Sequence, residues 1–153
     1  MKHKELVEIG FKWLRKRCGA VFKEITTANR ETPDVIGFMS GESILIEVKV
    51  SRSDFLRDKK KYHRGTSAKG MGRYRFYLCP EGLIKKEDLP YYWGLLWVNS
   101  KGKVEIIHNP YCRNPTGNIY SGGFDCDIEA EHRFMYSILR RMSVKGMIKH
   151  DEL

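Results

Sequence analysis

Nothing in this chain approaches the roughly 20 consecutive apolar residues of a membrane helix, so a helical membrane protein is not expected. Cysteine is sparse: Cys18, Cys79, Cys112 and Cys126 are scattered and form no CxxC pair. Reduced thiols are therefore expected rather than a disulfide framework. There is no internal repeat and no long low-complexity stretch, so a single domain over residues 1–153 is the economical organisation. The start, Met1-Lys2-His3-Lys4-Glu5, runs into an amphipathic stretch and not into an apolar signal core, so the expected location is cytoplasmic. On that expectation His150-Asp151-Glu152-Leu153 matches an endoplasmic-reticulum retention signal only by chance.

What the chain has in excess is positive charge. Its 28 Lys and Arg against 19 Asp and Glu give a formal net charge of +9 and a pI near 9.4. With 41% hydrophobic and 31% charged residues, 153 residues can bury a core without staples. A small basic domain attracts polyanions, and nucleic acid is the first candidate partner.

Hydrophobic periodicity orders the elements. Residues 3–18 read as a helix with Leu6, Val7, Ile9, Trp13 and Leu14 toward one side, ended by Gly19. Strands are expected over 21–25, 34–39 and 43–50, the last two joined by the turn Ser40-Gly41-Glu42. Ser51-Arg52-Ser53-Asp54 has the spacing of a capping box, which predicts a helix from Ser51 to about Tyr62 with Phe55 facing the core. Residues 65–72 hold three glycines and are expected to be a mobile loop. Strand signals return at 74–79, 94–98 and 104–107, with Asn99-Ser100-Lys101-Gly102 as the turn between the last two. Residues 109–124 look irregular. A final helix opens at Asp127, with Glu129 and Glu131 in its first turns and Phe134, Met135, Ile138, Leu139 and Met142 to bury. The expected fold is α/β with a mixed central sheet.

The sharpest chemical signal is Pro33-Asp34 followed, after twelve residues, by Glu47-Val48-Lys49. On a strand, residues i and i+2 share a face, so Glu47 and Lys49 stand together while Ile44, Ile46, Val48 and Val50 fill the other side. Antiparallel pairing through the 40–42 turn brings Asp34 toward Glu47. Two converging carboxylates repel, and burial adds a desolvation cost. A hard dication such as Mg²⁺ removes that conflict, and a Lys beside it can serve a water or a phosphate.

The ordered series resembles the PD-(D/E)XK nuclease superfamily, whose restriction endonuclease-like core is a helix, a three-stranded meander carrying PD and ExK, a helix and a strand. Phe22-Lys23-Glu24-Ile25, Pro33-Asp34-Val35-Ile36-Gly37, Ile44-Leu45-Ile46-Glu47-Val48-Lys49, Ser53-Asp54-Phe55 with Asp58-Lys59-Lys60, Arg75-Phe76-Tyr77-Leu78-Cys79-Pro80 and Gly94-Leu95-Leu96 are similar to the MmcB-like DNA repair branch. The resemblance spans roughly residues 5–107 of a core at about 3–107. It leaves 108–153 as an irregular connection plus a C-terminal helix, and the Gly-rich insert at 65–72 is longer than the family pattern. It implies that Asp34, Glu47 and the Val48 carbonyl bind Mg²⁺, with Mn²⁺ as a substitute, and that Lys49 serves the water. Glu24 matches a recurring acid of the branch and is implied as a supporting contact, the alternative being a solvent-facing strand residue. Glu5 and Glu8 are expected on an exposed helix face, and Asp54 as a capping acid.

Residues 52–75 hold nine cations (Arg52, Arg57, Lys59, Lys60, Lys61, Arg64, Lys69, Arg73, Arg75) against Asp54 and Asp58, which is +7 of the net +9. Of these, Arg52, Lys59, Lys60, Lys61, Arg64, Lys69 and Arg73 are the expected DNA contacts, through phosphates rather than bases. Tyr62 and Tyr74 are candidates for stacking on unpaired bases. His108, Cys112, Cys126 and His132 lack the paired knuckles of a structural zinc site, so separate thiols are expected there. Two functions follow. One is Mg²⁺-dependent phosphodiester hydrolysis of DNA, with RNA left open as a substrate; the other is a DNA-binding module of the same fold without turnover. The intact Asp34, Glu47 and Lys49 favour the enzyme.

Overall fold

Strands β1 (Ala20–Lys23), β2 (Val35–Met39) and β3 (Glu42–Val48) form an antiparallel meander in this computed structural model. Strand β4 (Tyr74–Pro80) runs parallel to β3, β5 (Gly94–Val98) parallel to β4, and β6 (Val104–His108) closes the sheet as an antiparallel hairpin partner of β5. The six strands make one mixed sheet in sequence order. Among the described residues three α-helices accompany it: α1 (His3–Arg15), α2 (Arg52–Lys59) and α3 (Ile128–Val144). The structure describes residues 1–27, 32–60, 69–112, 120–149 and 151–152. No helix among the described residues is long and apolar enough to cross a membrane.

Strand alternation divides the core into two layers, one on each face of the sheet. Ile44, Ile46 and Val48 of β3 join Leu6, Val7 and Leu14 of α1 on one face. Leu45, between them, joins Phe55 of α2 and Phe134 and Ile138 of α3 on the other. Each such aliphatic or aromatic side chain contributes about 1.5–3 kcal/mol when fully buried. Helix α1 lies close on the sheet at Gly10, where a Cβ would meet Leu78 Cδ2 at 3.1 Å.

Several boundaries shift from the sequence reading. Helix α1 ends at Arg15 with Lys16 as its C-cap. Helix α2 stops at Lys59, and its N-cap Ser51 accepts from the Asp54 N–H at 3.2 Å. Val50, expected in the core, is exposed because β3 ends at Val48 and the chain turns outward. In α3, Phe134, Ile138 and part of Met142 carry the burial, whereas Met135 and Leu139 are exposed on the other side of the helix.

The largest correction concerns the segment expected to be a mobile loop. Residues 61–68 lie outside the described residues, but Gly70, Met71 and Gly72 are buried. Four hydrogen bonds explain this order. The buried Arg75 guanidinium donates to the Gly72 carbonyl at 2.7 Å and the Gly70 carbonyl at 3.0 Å. The Gly72 N–H donates to Glu131 Oε2 at 3.0 Å, and the Ser43 hydroxyl meets the same oxygen at 3.0 Å. Gly72 is required by contact rather than mobility: its φ is +91° and a Cβ would lie 2.5 Å from Leu45 Cβ. The irregular connection after β6 is also structural, since Tyr111 is buried with Tyr74, Tyr120 and Phe76 around it.

Candidate functional site

One row of β3 side chains turns from apolar to charged along a buried face. Glu47 and Lys49 follow Leu45 on it, and they are only 7% and 6% exposed. Lys49 lies just past the strand, but its N–H donates to the Leu78 carbonyl at 2.9 Å and keeps it on the ladder. Its ammonium stands 3.4 Å from Asp58 Oδ1. Asp58 comes from α2, three positions after Phe55, so both side chains turn toward the sheet. The Tyr77 hydroxyl donates to Asp58 Oδ2 at 2.7 Å. Tyr77 is the register partner of Glu47 on β4, and its ring is fixed edge-on by Phe55 and stacked on Trp93. The meander, α2 and β4 thus deliver Glu47, Lys49, Asp58 and Tyr77 to one place.

Asp34 approaches from β2. Val35 pairs with Ile46, so one step further along the register Asp34 lies across from Glu47. Directly opposed residues of an antiparallel pair share a face. The Val48 N–H donates to Asp34 Oδ2 at 2.8 Å. A strand residue presents N–H and C=O to the same edge, so the Val48 carbonyl faces the Asp34 side as well. Asp34, Glu47 and Asp58 bring three carboxylates to this end of the sheet, Glu47 and Asp58 buried and Asp34 partly exposed.

The other side of Asp34 holds a group the sequence reading did not assemble. Asp34 Oδ1 is 3.3 Å from His3 Nε2, and His3 Nδ1 is 3.7 Å from Glu24 Oε1. Glu24 has a φ of +49°, a left-handed conformation uncommon for a residue with a side chain. Among the described residues, His3, Glu24 and Asp34 are the group of three or more metal-ligating side chains whose donor atoms all lie within 4.8 Å of one another. Glu47 is outside that group, and so are His108, Cys112, Cys126 and His132. Burial pushes the Cys126 thiol up to about 11, which disfavours the thiolate that zinc needs.

The expected DNA contacts divide. Arg52 is committed to Asp88, at 2.6 Å and 3.3 Å, and its guanidinium holds the Asp88 carboxyl down to about 2. Lys59 donates to the Asp88 carbonyl at 2.6 Å, Lys69 pairs with Asp125 at 3.2 Å, and Arg73 donates to the Gly122 carbonyl at 2.9 Å. Lys60 is exposed, and Lys61, Arg64 and Tyr62 lie outside the described residues. Arg75 is fully buried and organises residues 70–72, so it leaves the set of surface cations. Tyr74 is likewise core: its hydroxyl donates to Glu42 at 2.8 Å, and burial pushes it up to about 12. Glu5 accepts from the Lys2 N–H at 2.8 Å on the exposed face of α1, whereas Glu8 is half-buried and pairs with Lys23 of β1. Asp54 stands in the first turn of α2.

His3, Asp58 and Tyr77 are the site residues that sequence reasoning missed. A signal for Asp58 existed: it is an acid inside the basic run Arg57-Asp58-Lys59-Lys60, spaced to share the Phe55 face. For His3, three residues from the start and on the first turn of a helix, the sequence carries no such signal.

No family model matches the chain, and no curated protein matches it. Among solved structures it is similar to a protein of unknown function from Silicibacter pomeroyi, with a TM-score of 0.61. The match covers 95% of this chain and 92% of that one at 19% identity, so the likeness is one of fold.

Proposed function

We propose that this chain is a metal-dependent nuclease of the PD-(D/E)XK type that hydrolyses phosphodiester bonds in DNA, as part of repair, recombination or processing. The observation that carries the reading is Asp34 across from Glu47 with Lys49 on the same buried row. The antiparallel β1-β2-β3 meander followed by the parallel strand β4 supports a restriction endonuclease-like core. The donors Asp34, Glu47 and the Val48 carbonyl are all hard oxygens, which suits Mg²⁺, with Mn²⁺ as a substitute. Such an ion supplies positive charge to the phosphate and acidifies the attacking water.

The remaining work falls to the chain. Asp34 is oriented by the Val48 N–H. Lys49, steadied by Asp58 and through it by Tyr77, presents an ammonium where it stabilises charge growing on the phosphate or exchanges a proton with the water. Glu24 acts at one remove, meeting Asp34 through His3. The basic segment around α2 holds the phosphate backbone without reading sequence.

The deciding experiment is cleavage of a panel of labelled single-stranded, branched and duplex DNAs with Mg²⁺, Mn²⁺ or EDTA. Cleavage that depends on metal supports the proposal. Tight binding with no cleavage under either metal transfers the reading to a catalytically inactive DNA-binding module. The metal has its own readout. Mg²⁺ at 100 times its Kd should stabilise the fold by about 2.7 kcal/mol, seen as a rise in Tm. Asp34→Asn with Glu47→Gln should abolish that rise, and an equal rise in the double variant would put the ion elsewhere.

Binding should weaken steeply with salt, the log–log slope falling by about 0.9 for each phosphate contact removed from a duplex. Changing Lys59, Lys60 and Lys61 to Ala should lower affinity about equally on unrelated sequences and flatten that slope, as a filter-binding salt series would read. A loss confined to one sequence would contradict backbone recognition.

A further inference from the structure

We propose that His3, Glu24 and Asp34 bind a first-row transition dication of the Mn²⁺, Co²⁺ and Zn²⁺ class, at a position on the α1 side of the Asp34 carboxylate. The site stands apart from the nuclease reading: it shares Asp34 with the Glu47 side and draws its other two donors from elements that side does not use.

Three separate parts of the chain converge there: the first turn of α1, the residue after β1 and the residue before β2. Donors about 2.0–2.2 Å from an ion stand about 3.0–3.5 Å apart. His3 Nε2 and Asp34 Oδ1, at 3.3 Å, already meet that spacing. Glu24 is 48% exposed, so its carboxylate closes the remaining gap without disturbing the core. The charge balance favours an ion too. In a chain of net charge +9, two carboxylates face a single imidazole at this point.

The donor set decides the class of ion. An imidazole nitrogen with two carboxylates suits borderline first-row dications, whereas Mg²⁺ prefers oxygen alone. The two oxygens of Asp34 are divided in the same way, Oδ2 toward the Val48 N–H and Oδ1 toward His3. One carboxylate therefore turns Oδ2 toward β3 and Oδ1 toward the imidazole.

The test is Co²⁺ titration, followed by visible absorption, in excess Mg²⁺, on the full chain and on His3→Ala, His3→Gln, Glu24→Gln and Glu47→Gln. Nitrogen coupling in spin-echo spectra of the Mn²⁺ form is the second readout. Wild type should bind Co²⁺ despite Mg²⁺ and show nitrogen coupling. Both His3 variants should lose the coupling and weaken Co²⁺ binding by about tenfold or more, since even supporting contacts of a metal site cost that much. Glu24→Gln should weaken Co²⁺ binding while retaining the coupling, and Glu47→Gln should leave the nitrogen coupling in place. Absence of Co²⁺ binding in wild type, or equal affinity in the His3 variants, overturns the proposal and leaves His3 as a side chain set between two carboxylates. Failure of the nuclease reading is separate, because it shows as absent cleavage with these spectra intact.

Discussion

Changing Lys49 to Ala should lower single-turnover cleavage by on the order of 10²-fold or more, with little change in DNA affinity. Lys49 is one cation among many for binding, and at 6% exposure it is poorly placed to hold the duplex backbone. Its place is two residues from Glu47 on the same face, next to the proposed reacting phosphate. The variant also removes the Lys49 ammonium from beside the buried Asp58, so cleavage must be read at a temperature where circular dichroism shows the fold intact. Cleavage and equilibrium binding on one substrate separate the roles. A parallel loss of both would assign Lys49 to DNA binding rather than to the chemical step.

Asp58→Ala should be costlier for stability than any surface change. It removes the acceptor for both the Lys49 ammonium and the Tyr77 hydroxyl in a place where Asp58 itself is 2% exposed. Breaking one side of a buried ion pair costs about 3–5 kcal/mol, because the remaining charge stays out of water. For a domain of this size that is a fall in Tm on the order of 10 °C. Replacing the whole group with apolar side chains of similar volume, Lys49→Met with Asp58→Leu and Tyr77→Phe, should recover much of the loss while abolishing cleavage. A single Asp58→Ala change that leaves the urea midpoint unmoved would mean that solvent reaches the ammonium.

The fold was legible where side-chain period decides it. Strand β5 has the bounds read from sequence, and β3 alternates as read, because Ile44, Ile46 and Val48 demand one face and Leu45 the other. Glycine misled where it served close packing: Gly72 faces Leu45 rather than loosening the chain. Met135 and Leu139 misled because a helix packed on one side of a sheet has room for only one apolar stripe, and Phe134 with Ile138 takes it. At the site, period and turn length were enough to bring Asp34 opposite Glu47. They were not enough for His3, Asp58 or Tyr77, whose roles depend on how α1 and α2 dock and so on contacts between residues far apart in sequence. The charge run at 52–75 was visible as a sum, but which of its cations are spoken for became visible only with partners such as Asp88, Asp125 and Gly122.

The acceptor that secures Ser43 and Gly72 lies on the last helix. Ser43 and Glu131 are 88 positions apart in the chain. At the roughly 5–20 residues per second of protein synthesis, that separation is about 4–18 s on the ribosome. Once β4 is made it can pair with the meander, but until α3 follows the α3 side of Leu45 and Ile36 has no cover from Phe134 or Ile138. A nascent chain of this protein therefore passes through a stage with a sheet face open to chaperones or to its neighbours. A message truncated just before codon 128 would hold it there permanently.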